Sequence, residues 1–148
     1  LERADNTARI LDMKYLNLLP GSDEEMQSAD YYQWSALLRS VSAFEVYRKV
    51  YRDLITPLRV AELLILRPDM PRSLARCMSE VYANLRAVAN KGSRETERSA
   101  GELEAELRFG RIESIVDGDL HAWLETFLRR IYQLGCRIAD DFLVPVTH

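Results

Sequence analysis

An all-α bundle of about seven helices is what this sequence predicts, on three observations. Apolar residues recur at three- and four-residue steps through nearly the whole chain, no run alternates as a strand does, and proline, glycine or capping residues punctuate the breaks. The 148 residues are 47% hydrophobic and 29% charged, a globular composition that fits one helical domain over residues 1–148.

The elements follow in order. Leu1, Ala4, Ala8 and Leu11, continued by Tyr15 and Leu18, draw one stripe down a first helix from Leu1 to Leu19, which Pro20-Gly21 ends. An acidic loop, Gly21 to Ser28, leads to a second helix over Ala29–Ser40 that turns Tyr31, Trp34, Leu37, Leu38 and Val41 inward. "SAFE" at Ser42 to Glu45 fits a capping box and starts a third helix through Phe44, Tyr47, Val50 and Tyr51. Thr56-Pro57 restarts the chain as cap and first-turn proline. The helix it opens, "LRVAELLIL", is apolar on most faces and belongs at the centre. "RPDMPRS" breaks the chain again, and Pro71 opens a fifth helix through Leu74, Met78, Val81, Leu85 and Val88 to Lys91-Gly92. Ser93 caps a sixth helix with Ala100, Leu103 and Leu107 inside and Glu95, Glu102, Glu104 and Glu106 outside. "RIESIVDGD" reads as a short turn, after which Asp119 caps a last helix carrying Leu120, Leu124, Phe127, Ile131, Leu134 and Ile138. Pro145 marks its end. The start inside a stripe, with neither cap nor Met, is expected of a fragment of a longer two-half helical protein.

Bulk properties exclude several functions. A net charge of -3 argues against unspecific binding to nucleic acid or anionic membrane. No apolar run approaches the ~18 residues of a membrane span. Cys77 and Cys136 lack a CxxC spacing and read as small buried apolar residues of a reducing, cytoplasmic environment. No nucleophile motif or phosphate loop is present, and 6 glycines rule out a dinucleotide fold in practice. A di-iron bundle needs Glu-x-x-His twice, whereas His121 and His148 are the two histidines and neither follows a glutamate by three. Asp117, Asp119 and His121 straddle a turn and a helix start, where acids are expected as caps. No metal or cofactor is therefore predicted. The aromatics Tyr31, Tyr32, Trp34, Tyr47 and Tyr51 stand at helical spacing and are read as core.

Two polar groupings remain. Beside the alanine seam of the first helix runs a row, Glu2, Asp5, Arg9 and Asp12. Alanines let a neighbouring helix come close and strip water from the flank, where breaking a buried pair costs ~3–5 kcal/mol. The leading expectation is a polar network of Glu2, Asn6 and Arg9, with Arg3 and Asp5 beside them, that locks helices together. The alternatives are a ligand-facing site and a solvated flank in which Asp5–Arg9 is worth ~0.3–0.5 kcal/mol. The second grouping is "LRPDMPRSLAR". Arg67, Arg72, Ser73 and Arg76 near a helix N-terminus form a candidate anion site, with Asp69 as the expected cap. The competing account is that Asp69 and nearby acids already satisfy the arginines.

"LERADNTARILDMKY", "DYYQWSALLRSVSAFEVYRKVYRD", "VAELLILRPDMPRS", "ELRFGRIESI", "GDLHAWLETFL" and "RIADDFLVP" together resemble the carboxy-terminal half of bacterial alpha-E proteins, collinearly over nearly all of the chain. The glutamate of that family's ERA-x-x-x-AR type motif corresponds to Glu2, with Arg3 and Arg9 beside it. The resemblance implies a wholly helical protein with similar halves, an operon partner of circularly permuted ATP-grasp proteins and transglutaminase-like peptidases. It carries over no catalytic residue. An accessory or scaffold role for an ATP-grasp amide ligase, in amide-bond formation or tagging, is what it implies. The rivals are an enzyme component using Glu2 with Arg3, Arg9 and Arg72 on an anionic substrate, and a self-associating structural module.

Overall fold

In the computed structural model, residues 1–17, 24–52 and 55–143 are described, with side chains over 1–13, 32–52 and 55–142. Among the described residues the chain forms eight α-helices and no strand. These are α1 (Glu2–Asn17), α2 (Glu24–Ser40), α3 (Phe44–Tyr51), α4 (Pro57–Ile65), α5 (Leu74–Ala87), α6 (Arg94–Arg108), α7 (Ile112–Gly118) and α8 (Leu120–Ile138). A 3-10 turn, Lys91–Ser93, precedes α6, and a π turn, Ala139–Leu143, continues α8.

The fold class is as expected, and the helix count rises by one because "RIESIVDGD" is helical. Ile112 and Ile115, three apart, bury one side of α7 against the core. Two further boundaries differ. Residues 24–28, read as loop, begin α2, and α5 stops at Ala87 with Val88 exposed. The expectations for Leu18, Pro20-Gly21 and Pro145, and for the side chains of Tyr15 and Tyr31, lie outside the described residues.

Helix starts show which capping signals were sound. Thr56 accepts the Arg59 N–H at 3.3 Å with Pro57 behind it, and Asp119 accepts the Ala122 N–H at 3.3 Å. "SAFE" does not form its capping box. Ser42 adopts φ 57, its N–H reaches the Arg39 carbonyl, and the Ala43 N–H reaches the Leu38 carbonyl at 2.7 Å. That pair of bonds is a Schellman stop for α2, so Ser42 ends one helix instead of opening the next. Ser93 is diverted too. Its hydroxyl accepts the Asn90 N–H at 2.9 Å, while the Asn90 side chain accepts the Gly92 N–H at 2.8 Å. Asn90 is the residue that organises the turn.

The helices enclose one core. Within α4, Val60, Ala61, Leu63, Leu64 and Ile65 are all buried, as an all-round apolar helix requires. Around it lie Trp34, Leu37, Leu38 and Tyr47, then Leu74 and Met78, and finally Leu124, Phe127 and Ile131. The Phe127 ring stacks on Trp123 with centroids 5.7 Å apart. The aromatic cluster is core at Trp34 and Tyr47, whereas Tyr32 faces solvent. The Tyr47 hydroxyl accepts the Thr56 N–H, and Tyr51 donates to Glu62 at 2.7 Å. Burial, reinforced by that carboxylate, pushes the Tyr51 phenol above its ordinary value. Cys77 is buried and its thiol is pushed up by desolvation, but Cys136 is exposed, against the expectation for both cysteines. No helix among the described residues is long and apolar enough to cross a membrane.

Helix α1 packs on α8, α5, α4 and α2. Ala4, Ala8 and Leu11 are fully buried in its seam. This placement sets the geometry of the charged row beside them.

Candidate functional site

The alanine seam brings α1 close to its neighbours, yet within the charged row only Asp12, 17% exposed, is drawn out of solvent. Glu2, Asn6 and Arg9 are exposed, so they do not form a dehydrated network locking helices. Arg9 Nε donates to Asp5 Oδ2 at 2.9 Å within the helix, with the two side chains 64% and 37% exposed. A pair so solvated contributes only ~0.3–0.5 kcal/mol. Glu2 makes no hydrogen bond or ion pair among the described residues. The row lies at the rim of the seam, and alanines, being short, pull in only their own turn of backbone.

Polar links from α1 to the rest of the bundle are made by Thr7, by Arg3 and, within the row, by Asp12 alone. Thr7, 1% exposed, donates its hydroxyl to the Arg72 carbonyl at 2.8 Å. Arg3 reaches Glu80 on α5 at 2.7 Å, and Arg76 reaches the same carboxylate at 3.1 Å. The Arg76 guanidinium, then that of Arg3, holds the Glu80 carboxyl below its usual range. Asp12 accepts from, or shares a proton with, His121 Nδ1 at 2.6 Å, while His121 Nε2 lies 3.0 Å from Glu125. The Asp12 contact raises the His121 pKa above its ordinary value, so the imidazolium form is favoured there. The stripe drawn from the sequence omitted Thr7, although its place three residues after Ala4 and four before Leu11 sets it on the same face.

The second grouping does not converge on an anion. Arg67 is forked onto Asp69 at 3.1 and 2.9 Å, which lowers the Asp69 pKa, and Arg76 is held by Glu80. Ser73, not Asp69, caps α5: its hydroxyl accepts the Arg76 N–H at 3.0 Å and donates to the Arg67 carbonyl at 2.6 Å. Pro71, Arg72 and Ser73 therefore precede the helix rather than forming its first turn. Fully buried, Ser73 has its hydroxyl committed at both lone pair and proton. Asp69 and Glu80 take up Arg67 and Arg76, while the Arg72 guanidinium meets no carboxylate among the described residues.

What the first grouping does form is one wall of a groove between α1 and α8. Glu2, Asp5, Asn6 and Arg9 face Ile131, Tyr132, Gly135, Cys136 and Ala139 across an open space of about 570 Å³. Leu1 closes the floor, lying where a side chain on Gly135 would meet it. Arg3 leaves this groove for Glu80, so four of the five expected residues share it. Tyr132 is 73% exposed, and Cys136 beside it is exposed as well. Carboxylates, an amide, a guanidinium and a phenol thus line a channel over an aliphatic base. Such a wall offers donors and acceptors to a bound chain. His121, the one histidine among the described residues, is engaged with Asp12 and Glu125 and does not line the groove.

No curated protein and no solved structure matches the chain. A family model does: Alpha-E, described as a predicted alpha-helical domain with a conserved ER motif, matches residues 1–143. Two Glu-Arg dipeptides occur in the sequence, Glu2-Arg3 and Glu97-Arg98. The first of them splits its side chains between the groove and α5, Glu2 to the former and Arg3 to the latter. On the span of that match and the all-helical architecture, the chain belongs to the Alpha-E family.

Proposed function

We propose that the protein is a non-catalytic helical partner of an ATP-grasp amide ligase, holding a peptide-like chain along the α1–α8 groove. One observation carries this: a groove of about 570 Å³ has a wall of polar side chains, Glu2, Asp5, Asn6 and Arg9, and no histidine among the described residues lies beside the Cys136 thiol. Polar groups suited to binding, with no Cys–His pair of the kind nucleophilic catalysis uses among the described residues, support this reading. The ATP-grasp partner, with a transglutaminase-like protein as a second associate, comes from the alpha-E resemblance of the sequence, as does bacterial, cytoplasmic residence.

Co-purification with an ATP-grasp protein of the kind the resemblance implies tests the role. The expected result is a reproducible complex, retained by Glu2→Gln and weakened by Arg9→Glu or Tyr132→Ala. Failure of the folded protein to associate refutes the scaffold role.

The enzyme alternative rests on Glu2 lying unpaired in the groove. Of its proposed helpers, Arg9 shares the groove, whereas Arg3 binds Glu80 and Arg72 lies outside it. Loss of amide-forming activity in Glu2→Gln with the complex intact favours that alternative. Light scattering addresses the third role, self-association, directly.

A further inference from the structure

A second, smaller hollow lies between α6 and α8, away from the α1 groove. It encloses about 120 Å³ and is lined by Ser99 and Glu102 from α6 and by Arg130, Gln133 and Arg137 from α8, over a leucine from each helix. Its volume is well below the ~300 Å³ where pockets for larger ligands begin.

The charges around it do not cancel. Arg130 Nη1 is 2.5 Å from Glu106, and Glu102 is 3.5 Å from Arg98, so each of these has an opposite charge already. Arg137 differs. It donates to the Ser99 hydroxyl at 2.8 Å and meets no carboxylate among the described residues. A guanidinium has five N–H donors, and this contact uses one. Because Ser99 accepts that bond, its own O–H is left to donate. The Gln133 amide adds a further donor. Hydroxyl, amide and uncompensated guanidinium thus face a space of one small group over two leucines, beside the mutually opposed charges of Arg130 and Glu102, each already paired.

We propose that this hollow binds a small oxyanion, of the size and charge of a phosphate or carboxylate group, with Arg137 and Ser99 as its principal ligands. The net surplus of one positive charge matches a singly charged guest. A forked guanidinium suits two oxygens of the same group, which a point charge would not orient. This site is independent of the α1 groove and of any ATP-grasp partner.

The test is titration of the whole chain with inorganic phosphate and, separately, acetate, followed by amide NMR at ionic strength held constant with sodium chloride. Saturable shifts centred on Ser99, Gln133 and Arg137 are expected, and the tighter of the two anions identifies the preferred geometry. Arg137→Ala should weaken binding by ~tenfold or more, the scale of a lost charged hydrogen bond. Arg137→Lys should fall between, keeping charge without the fork, and Ser99→Ala should weaken binding several-fold. Arg137→Gln, which can still reach Ser99, provides a folded replacement should the alanine variant lose its helical circular dichroism. Arg129→Ala, exposed on the same helix and outside the hollow, should bind as the parent does. Linear, unsaturating shifts with both anions overturn the proposal. So does saturation that is unchanged in both Arg137→Ala and Arg137→Gln.

Discussion

Replacing Thr7 by valine asks what ties α1 to the bundle. The substitution keeps the shape of the side chain and removes the proton donated to the Arg72 carbonyl at 2.8 Å. Thr7 is only 1% exposed, so no water replaces the hydroxyl from the α1 side. Net loss of a hydrogen bond costs ~0.5–1.5 kcal/mol, and a stranded buried acceptor ~1–3 kcal/mol. Arg72 itself is exposed, so water can reach part of its carbonyl and the lower range applies. About 1–2 kcal/mol is expected, or roughly 2–8 °C in Tm for a domain of this size. Arg9→Ala, by contrast, removes a solvated pair worth ~0.3–0.5 kcal/mol. The assay is urea unfolding followed by circular dichroism on the parent, Thr7→Val, Thr7→Ser and Arg9→Ala. Serine should hold more of the parent stability than its smaller volume alone permits, because it keeps the donor. If Arg9→Ala costs more than Thr7→Val, the charged row and not the hydroxyl anchors the helix, and the reasoning fails.

Three further substitutions probe other elements. Ala8→Leu inserts bulk where the seam is fully closed, so destabilisation by ~1–3 kcal/mol is expected in the same assay; a neutral result would mean the seam has slack. Ser42→Gly places glycine at φ 57, where an exposed serine makes no side-chain bond among the described residues. Relief of the left-handed conformation against the entropy of glycine predicts a gain of ~0.5–1 kcal/mol, read as a raised urea midpoint. His121 is held with a raised pKa between Asp12 and Glu125. Its stabilising contribution is therefore complete below the ordinary histidine value near ~6.5 and is lost as pH rises through the elevated folded value. The Tm should fall across that window in the parent and stay level in His121→Gln; parallel pH profiles would contradict the ion-pair assignment.

Helical periodicity was legible because it is local. Leu120, Leu124, Phe127, Ile131 and Leu134 declare their buried side by spacing alone, and each is buried. Capping was legible where one residue type has one use, as at Thr56-Pro57 and Asp119. It misled where two uses compete. Ser42 fits the start of α3 by sequence, but ending α2 with a left-handed residue satisfies three backbone groups there, and that requirement prevailed. Short α7 was hidden because two isoleucines are too few to show a period. For the groove, the sequence picked its α1 wall through the ordered polar row, but not Tyr132, Gly135 or Cys136 opposite. Those belong to α8, and no pattern within one helix reports which helix it will face. The solvated state of Glu2, Asn6 and Arg9 was missed for the same reason: distance from the seam to the flanking side chains depends on the partner's width.

The contact of α1 with α8 has a cost in time. Asp12 and His121 are 109 positions apart, so a ribosome adding ~5–20 residues each second needs several seconds or more between delivering one and the other. Throughout that interval the buried stripe of α1, Ala4 to Leu11, has no α8 to cover it. Until α8 arrives, the seam has only α2, α4 and α5 to pack against, so docking of α8 is the step that completes its cover.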